Sequence, residues 1–280
     1  MASRKARTRR LDVLTYGLLG LGCVMALAPI VWGLLTSFKL ESNVALYPPQ
    51  WVPSPVTFEH YSDLLTSKEV LRVFFNSLVL AGGTILLGLL VASPGAYAAA
   101  RFRFRGKNAI LLTILVTSMI PGISILIPIF LLAIRAELLN SYVFMILVYG
   151  AWLVPQAIWF IKGFVEVVPR ELEEAALIDG CSLPGAFWRI TLPLIQPGLA
   201  AVAILFFVFV WNDFLIGAVL TNREEMRTVQ VGLLRTIQDI GIFWGQFMAY
   251  AMLATAPILV AFLFLQKRFV EGLTRGGVKG

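Results

Sequence analysis

Residues 73–100 read VFFNSLVLAGGTILLGLLVASPGAYAAA, twenty-eight positions without one Asp, Glu, Lys, Arg or His. A helix rises about 1.5 Å per residue, so roughly 20 apolar residues cross the ~30 Å hydrocarbon core of a bilayer. The stretch is predicted to span a membrane. It stops at RFRFRGK (101–107), where Arg101, Arg103, Arg105 and Lys107 mark a return to water. Working outward, five further runs lack charge: 13–38, 108–134, 138–161, 190–212 and 240–266. Each exceeds the ~18 residues a crossing needs. The predicted fold class is an all-α polytopic membrane protein with six transmembrane helices. Pro121, Pro128 and Pro155 are expected to mark kinks, because neighbouring helices can satisfy the backbone groups that proline frees.

Composition agrees with this reading and narrows the function. Of 280 residues, 59% are hydrophobic and 14% charged, against about 25% charged in soluble domains. Mean hydropathy is +0.83. A soluble globule is excluded. The net charge of +7 belongs to basic residues beside the apolar runs, not to a single basic face interleaved with aromatics, so no nucleic-acid partner is expected. Cys23 lies in an apolar run and Cys181 in a polar connection, which is no disulfide framework. A single histidine, His60, leaves no metal-ligand cluster. Gly106-Lys107 has Arg101 where a phosphate loop needs its first glycine, so the chain has no nucleotide site of its own. No catalytic residue and no metal site are expected, and the chain is not read as an enzyme.

Orientation follows from the basic residues in the connections. Six crossings put both termini on one side. That side collects Arg4, Lys5, Arg7, Arg9 and Arg10, then Arg101 to Lys107, then Lys162, Arg170 and Arg189, then Lys267, Arg268, Arg275 and Lys279, which is 16 of the 23. Both termini are therefore expected in the cytoplasm. The first run, 26 residues long, exceeds a signal-peptide core of about 7–15 and is expected to stay in the membrane. Residues 1–12 form a basic cytoplasmic N-terminus, 13–266 a six-helix transmembrane domain, and 267–280 a cytoplasmic glycine-rich tail. Within the middle part lie external loops 39–72 and 221–239 and a cytoplasmic loop, 163–197.

The loop 163–197 is the most structured of these connections. Pro169 suits a helix start, Glu171, Glu173 and Glu174 complement the positive end of the helix dipole, and Leu172, Ala175 and Ala176 form an apolar patch. Gly180 stops the helix. Ser182 can cap a second short helix carrying Phe187, Trp188 and Ile190, before Pro193 and Pro197 interrupt the chain. The result is a helix-turn-helix knob. On physics alone it is either an interfacial loop or a docking element for a grooved partner.

Read in order, Glu174-Ala175-Ala176, three residues, Gly180, nine residues, Ile190, one residue, Leu192-Pro193 resembles the EAA signature of the membrane-spanning subunits of bacterial ATP-binding-cassette importers. Asp179 and Phe187 match the common form as well. Phe75-Asn76-Ser77, Ile120-Pro121, Trp211-Asn212-Asp213 and the final QKRFVEGLTRGGVKG (266–280) resemble the carbohydrate, maltose-type branch. The resemblance implies two permease subunits paired as a heterodimer, two cytoplasmic ATPases that hold ATP and Mg, and an external solute-binding protein in a bacterial inner membrane. This chain itself would carry no cofactor. The EAA loop would couple to the ATPase through Glu173, Glu174, Ala175, Ala176, Asp179, Gly180, Phe187, Ile190 and Pro193. Glu173, Glu174 and Asp179 would either pair with basic residues of the ATPase cleft or stabilise helix ends. The tail would touch the ATPase through Gly276, Gly277 and Lys279, and the external loop would meet the binding protein through Glu225, Arg227 and Thr228.

Polar groups inside apolar helices suggest a pathway, which nominates Asn76, Gln156, Asn212 and Asp213; interhelical hydrogen bonding is the competing role. The expected function is sugar or oligosaccharide import driven by a partner ATPase. A related solute such as glycerol phosphate or another polyol is the alternative within the class. An ion-coupled secondary transporter would need intramembrane charge pairs in corresponding halves, and a membrane anchor would not need the EAA spacing.

Overall fold

The computed structural model describes residues 2–234, 237–238 and 241–277. Helix α1 (Ala2–Ser37) is followed by the short α2 (Glu41–Val44) and α3 (Glu59–Thr66). The long α4 (Lys68–Arg101) leads to α5 (Lys107–Ser118), α6 (Gly122–Arg135) and α7 (Tyr142–Val167). Then come α8 (Arg170–Ile178), α9 (Leu183–Ala186), a π-helical turn (Phe187–Thr191), α10 (Leu192–Leu194) and α11 (Gln196–Asn212). The chain continues through α12 (Leu215–Leu220), a 3-10 turn (Glu224–Met226) and α13 (Val229–Leu233). A two-residue antiparallel ladder pairs β1 (Ile237–Gln238) with β2 (Gly241–Ile242), and α14 (Trp244–Gly277) follows.

The fold is all-α in its architecture and membrane-spanning in its surface. Leu14–Ser37, Lys68–Arg101, Tyr142–Val167 and Trp244–Leu263 are each long and apolar enough to cross. Two further spans are bent pairs: Lys107–Ser118 with Gly122–Arg135 turns by 88°, and Leu183–Leu194 with Gln196–Asn212 by 74°. Counting each pair as one gives the six expected crossings. The prolines behave in two ways. Pro128 and Pro155 sit inside continuous α6 and α7, whereas Pro121 stands at the break before Gly122. There the expected kink is a full interruption, because proline supplies no N–H and its extended φ, ψ of −61° and 128° end the ladder.

The chain forms two compact units. One comprises residues up to Ser67 with Leu233–Thr255; the other comprises Lys68–Gly232 and the remainder. In the first unit α3 is tied back to the end of α1, where Ser37 and Tyr61 hydroxyls lie 2.7 Å apart and the Thr57 amide donates to the Phe38 carbonyl. Trp51 meets Trp32 edge to face at 5.2 Å, and the Lys39 ammonium sits 4.2 Å from the Trp32 ring. Glu41 accepts from the Gly245 amide.

In the second unit α4, α7 and α11 enclose the core. Small residues let these backbones approach closely, which is how membrane helices gain packing where lipid offers no hydrophobic drive. Gly88 of α4 faces the Phe206 ring of α11 so closely that a Cβ would collide with it. Gly83 faces Ile146, Gly150 faces Leu87, and Ala81, Ala92 and Ala96 continue the same inner stripe. Tyr149 and Trp211 are the bulkiest fully buried side chains among the described residues, with Trp211 stacked on Phe207 at 5.3 Å and edge-on to Phe74 at 6.0 Å.

Candidate functional site

The knob is built by local chemistry. Pro169, non-helical at ψ 132°, stands just before α8, so it caps the helix from outside instead of occupying its first turn. At the other end the Cys181 amide donates to the Ala176 carbonyl (2.9 Å) and the Gly180 amide to that of Leu177 (3.1 Å). Gly180 has φ 88°. This is the paired 6→1 and 5→2 closure of a helix by a left-handed residue, the conformation that glycine adopts without a Cβ penalty. The Ser182 hydroxyl then accepts from the Gly185 amide (3.3 Å), so the expected cap of the second helix is present.

Helical spacing sorts the expected coupling residues onto two faces. Glu173 and Ala176 of α8, with Phe187 beyond the turn, are buried. Glu174, Ala175, Asp179, Gly180 and Pro193 are exposed, and Ile190 is half-buried. Ile178, one turn beyond Glu174, is 87% exposed, with Leu172 and Leu183 also uncovered nearby. The outward face is thus an apolar cap bordered by Glu174 and Asp179.

The inward face is a charge cluster that fastens α8 to α4. Glu173 is only 7% exposed. One of its oxygens accepts from Arg101 Nε (2.8 Å) and from the Thr191 hydroxyl (2.8 Å) and lies 2.7 Å from Arg101 Nη2 in an ion pair. The other accepts from the Tyr97 hydroxyl (3.0 Å). Arg101 Nη2 also donates to the Val168 carbonyl, and the Tyr97 ring packs 4.9 Å from that of Phe187. Burial by itself would push the Glu173 carboxyl up, but the hydrogen bonds from Arg101, Thr191 and Tyr97 and the guanidinium charge outweigh it and hold the group below its ordinary 4.5. Neither expected role, pairing with an ATPase cleft or stabilising a helix end, describes this geometry: the Glu173 carboxylate is ion-paired to Arg101 of α4 inside the chain. Arg101, Tyr97 and Thr191 were not anticipated as site residues. A signal existed for two of them, since Tyr97 and Arg101 are four apart and share a helix face.

At the other end of α4, Asn76 is fully buried, and its amide donates to the Glu225 and Arg227 carbonyls, both at 2.8 Å. Its oxygen accepts from the Tyr142 hydroxyl. The Ser77 hydroxyl accepts from the Val229 amide, and Arg72 Nε reaches the Glu225 carbonyl. From a different side the Asn140 oxygen takes the amides of Asn222 and Arg223, both at 2.9 Å. The segment carrying Glu225, Arg227 and Thr228 is therefore held rigidly, with Glu225 exposed, Arg227 paired with Glu224 at 3.4 Å, and Thr228 buried.

The other nominated pathway residues lie apart. Asp213 receives the amides of Ile216 (2.9 Å) and Gly217 (3.2 Å), starting α12, and the Tyr149 hydroxyl (2.9 Å). Asn212 is exposed and bonds back to the Val208 carbonyl of its own helix. Gln156 is exposed on α7. Asn76 is spent on backbone carbonyls, and among the described hydrogen bonds none joins any two of these four residues. Helix α14 extends through Gly276 and Gly277, while Lys279 lies outside the described residues. Among the described residues no group of His, Cys, Asp or Glu is placed to hold a metal ion.

Residues 84–275 match the family of binding-protein-dependent transport system inner membrane components, and the chain belongs to it. It is similar to the diacetylchitobiose uptake system permease protein DasC of Streptomyces coelicolor, 34% identical over 90% of this chain and 91% of that one. It is likewise similar to the galactooligosaccharides transport system permease protein GanQ of Bacillus subtilis, 35% identical over the whole of both chains. A crystal structure of a bacterial transporter that imports alginate shares the fold, with a TM-score of 0.82 at 24% identity over 93% of this chain and 97% of that one. The chain is a transport subunit, and ATP hydrolysis resides on a partner chain.

Proposed function

We propose that this chain is one half of a permease pair that imports a sugar or oligosaccharide across a bacterial inner membrane, with both termini in the cytoplasm. An external solute-binding protein delivers the substrate at the face carrying Glu225 and Arg227, with Thr228 buried beneath it, and ATP and Mg act on two ATPases docked at the opposite face. The observation that carries the coupling role is the knob itself. Its left-handed turn at Gly180 fixes Glu174, Ala175, Ile178 and Asp179 in one outward arrangement while Glu173 is anchored within. The substrate class rests on the diacetylchitobiose and galactooligosaccharide permeases to which the chain is similar over nine-tenths or more of its length. Gly276, Gly277 and Lys279 are assigned to the same ATPase contact.

The test is uptake in proteoliposomes holding the chain with its companion permease, ATPases and binding protein. Labelled diacetylchitobiose and galactooligosaccharide are offered, and accumulation is expected only with ATP inside the ATPase-bearing compartment. Uptake driven by an ion gradient in vesicles lacking the ATPase would remove the reading. Orientation is tested separately through Cys181, which is half-exposed at the knob. In intact spheroplasts it should resist a membrane-impermeant maleimide and should react once the inner face is opened. Labelling from outside would reverse the topology.

A further inference from the structure

Helix α4 grips a different segment near each of its ends, and both grips are polar, buried and specific. Near its start, Asn76 and Ser77 hold the backbone of Glu225, Arg227 and Val229. At its end, Tyr97 and Arg101 hold Glu173 of α8. The two grips are 25 positions apart, from Asn76 to Arg101, or roughly 37 Å along a helix. Between them the inner face of α4 is packed without slack, with Gly88 against Phe206, Gly83 against Ile146, and Leu80, Ala81 and Ala92 buried. A close-packed helix moves as a body, because its contacts leave no room for continuous deformation.

The geometry points to α4 as a strut that links the external segment at Glu225–Arg227 mechanically to the coupling knob, with Asn76 and Glu173 as its two positioning residues. Both side chains are buried inside the chain. Each converts displacement of one segment into displacement of the helix. A force on the knob reaches α4 through the Glu173–Arg101 pair, and α4 carries it to the loop through the Asn76 amide. Two covalent routes run beside it, α7 leading into α8 and α11 leading on to α12; α4 differs from them in being joined to both segments by side-chain grips alone. The inference rests on the reading of the knob as the ATPase-coupling element.

The test reads the loop while acting on the ATPase. Arg223, exposed beside the gripped segment, is replaced as Arg223→Cys in a Cys23→Ser, Cys181→Ser background and carries a nitroxide label. The complex with companion permease, ATPases and binding protein is trapped with ATP and vanadate, and only complexes that retain the ATPase are compared. In the otherwise unchanged chain, trapping should shift the label's spectrum. Asn76→Ala and Glu173→Gln should each cut that shift about tenfold, equivalent to ~1.4 kcal/mol of coupling. Glu173→Gln acts at the far end of α4, so a purely local role for it would leave the loop label unmoved. The double variant Asn76→Ala/Glu173→Gln should be no worse than the weaker single, because a link in series is cut only once. Ser77→Ala, which removes a single bond to Val229, gives a milder variant should Asn76→Ala fail to assemble, with a smaller loss in the same direction. A full shift in either single variant, multiplying losses in the double, or no shift in the parent complex would overturn the strut. Failure of the ATPase to co-purify with the parent chain would instead count against the coupling reading, and the inference would fall with it.

Discussion

Arg101→Ala is expected to produce the largest loss of stability of any single change outside the helix-packing core. The substitution leaves the Glu173 carboxylate buried with only Thr191 and Tyr97 as donors. Breaking one partner of a buried ion pair costs about 3–5 kcal/mol, far more than the pair itself contributes over an apolar replacement. The sign of the pH dependence follows from Glu173. In the parent chain its carboxyl is held below 4.5, so the stabilisation is present above that value and fades as pH falls through the lowered one. Without Arg101 burial dominates and raises the carboxyl, which then takes up a proton to relieve the stranded charge. The deficit of Arg101→Ala relative to the parent should therefore be widest at neutral pH and should shrink on acidification towards 4.5. Thermal unfolding of the detergent-solubilised protein across that range checks it. A deficit that does not change with pH, or parent-like stability at pH 7, would remove Glu173 and Arg101 from the account of how the knob is held.

Gly180→Val is expected to abolish coupling while sparing the bundle. A Cβ at Gly180 would meet nothing within 4 Å, so the penalty is one of backbone conformation alone, set by φ 88°. An L-residue in the left-handed region costs about 1–2 kcal/mol, and a β-branched one more, which matches or exceeds what closes a single turn of helix. The knob can escape that cost by opening the turn, and the arrangement of Glu174, Ile178 and Asp179 is lost with it. Insertion and pairing with the companion permease should survive, since the turn lies outside the core. Recovery of the ATPase with the purified permease pair should fall at least about tenfold, the equivalent of ~1.4 kcal/mol. Gly180→Asn should recover most of it, because asparagine tolerates this conformation. Equal loss with Asn and Val would show that the position needs the absence of a side chain and not a left-handed backbone.

These two sites differ in how far the chain announces them. The turn at Gly180 is legible because its causes are adjacent: acidic residues at the helix start, an apolar patch at helical spacing, and a glycine where the pattern ends. The same holds for Ser182 as a cap and for the membrane spans, whose signal is only length without charge. The bend of 88° at Pro121 was half legible, since a proline announces interruption but not its size. Glu173 was nominated together with Glu174 because neighbours in sequence share composition. Which of them turns inward depends on where α4 lies against α8.

The amino-acid sequence by itself determined the class of protein, the number of crossings and the knob with its turn, because hydrophobic length, helix ends and left-handed glycines are local properties. Only the tertiary structure decided what holds those parts in place. Arg101, Tyr97 and Thr191 converge on Glu173 from 72, 76 and 18 positions away, and Asn76 meets Glu225 across 149. Such partners carry no mutual signal in one sequence. Burying a polar group demands a partner, but the demand is met by whichever segment packing brings near, and that choice is made by the whole bundle.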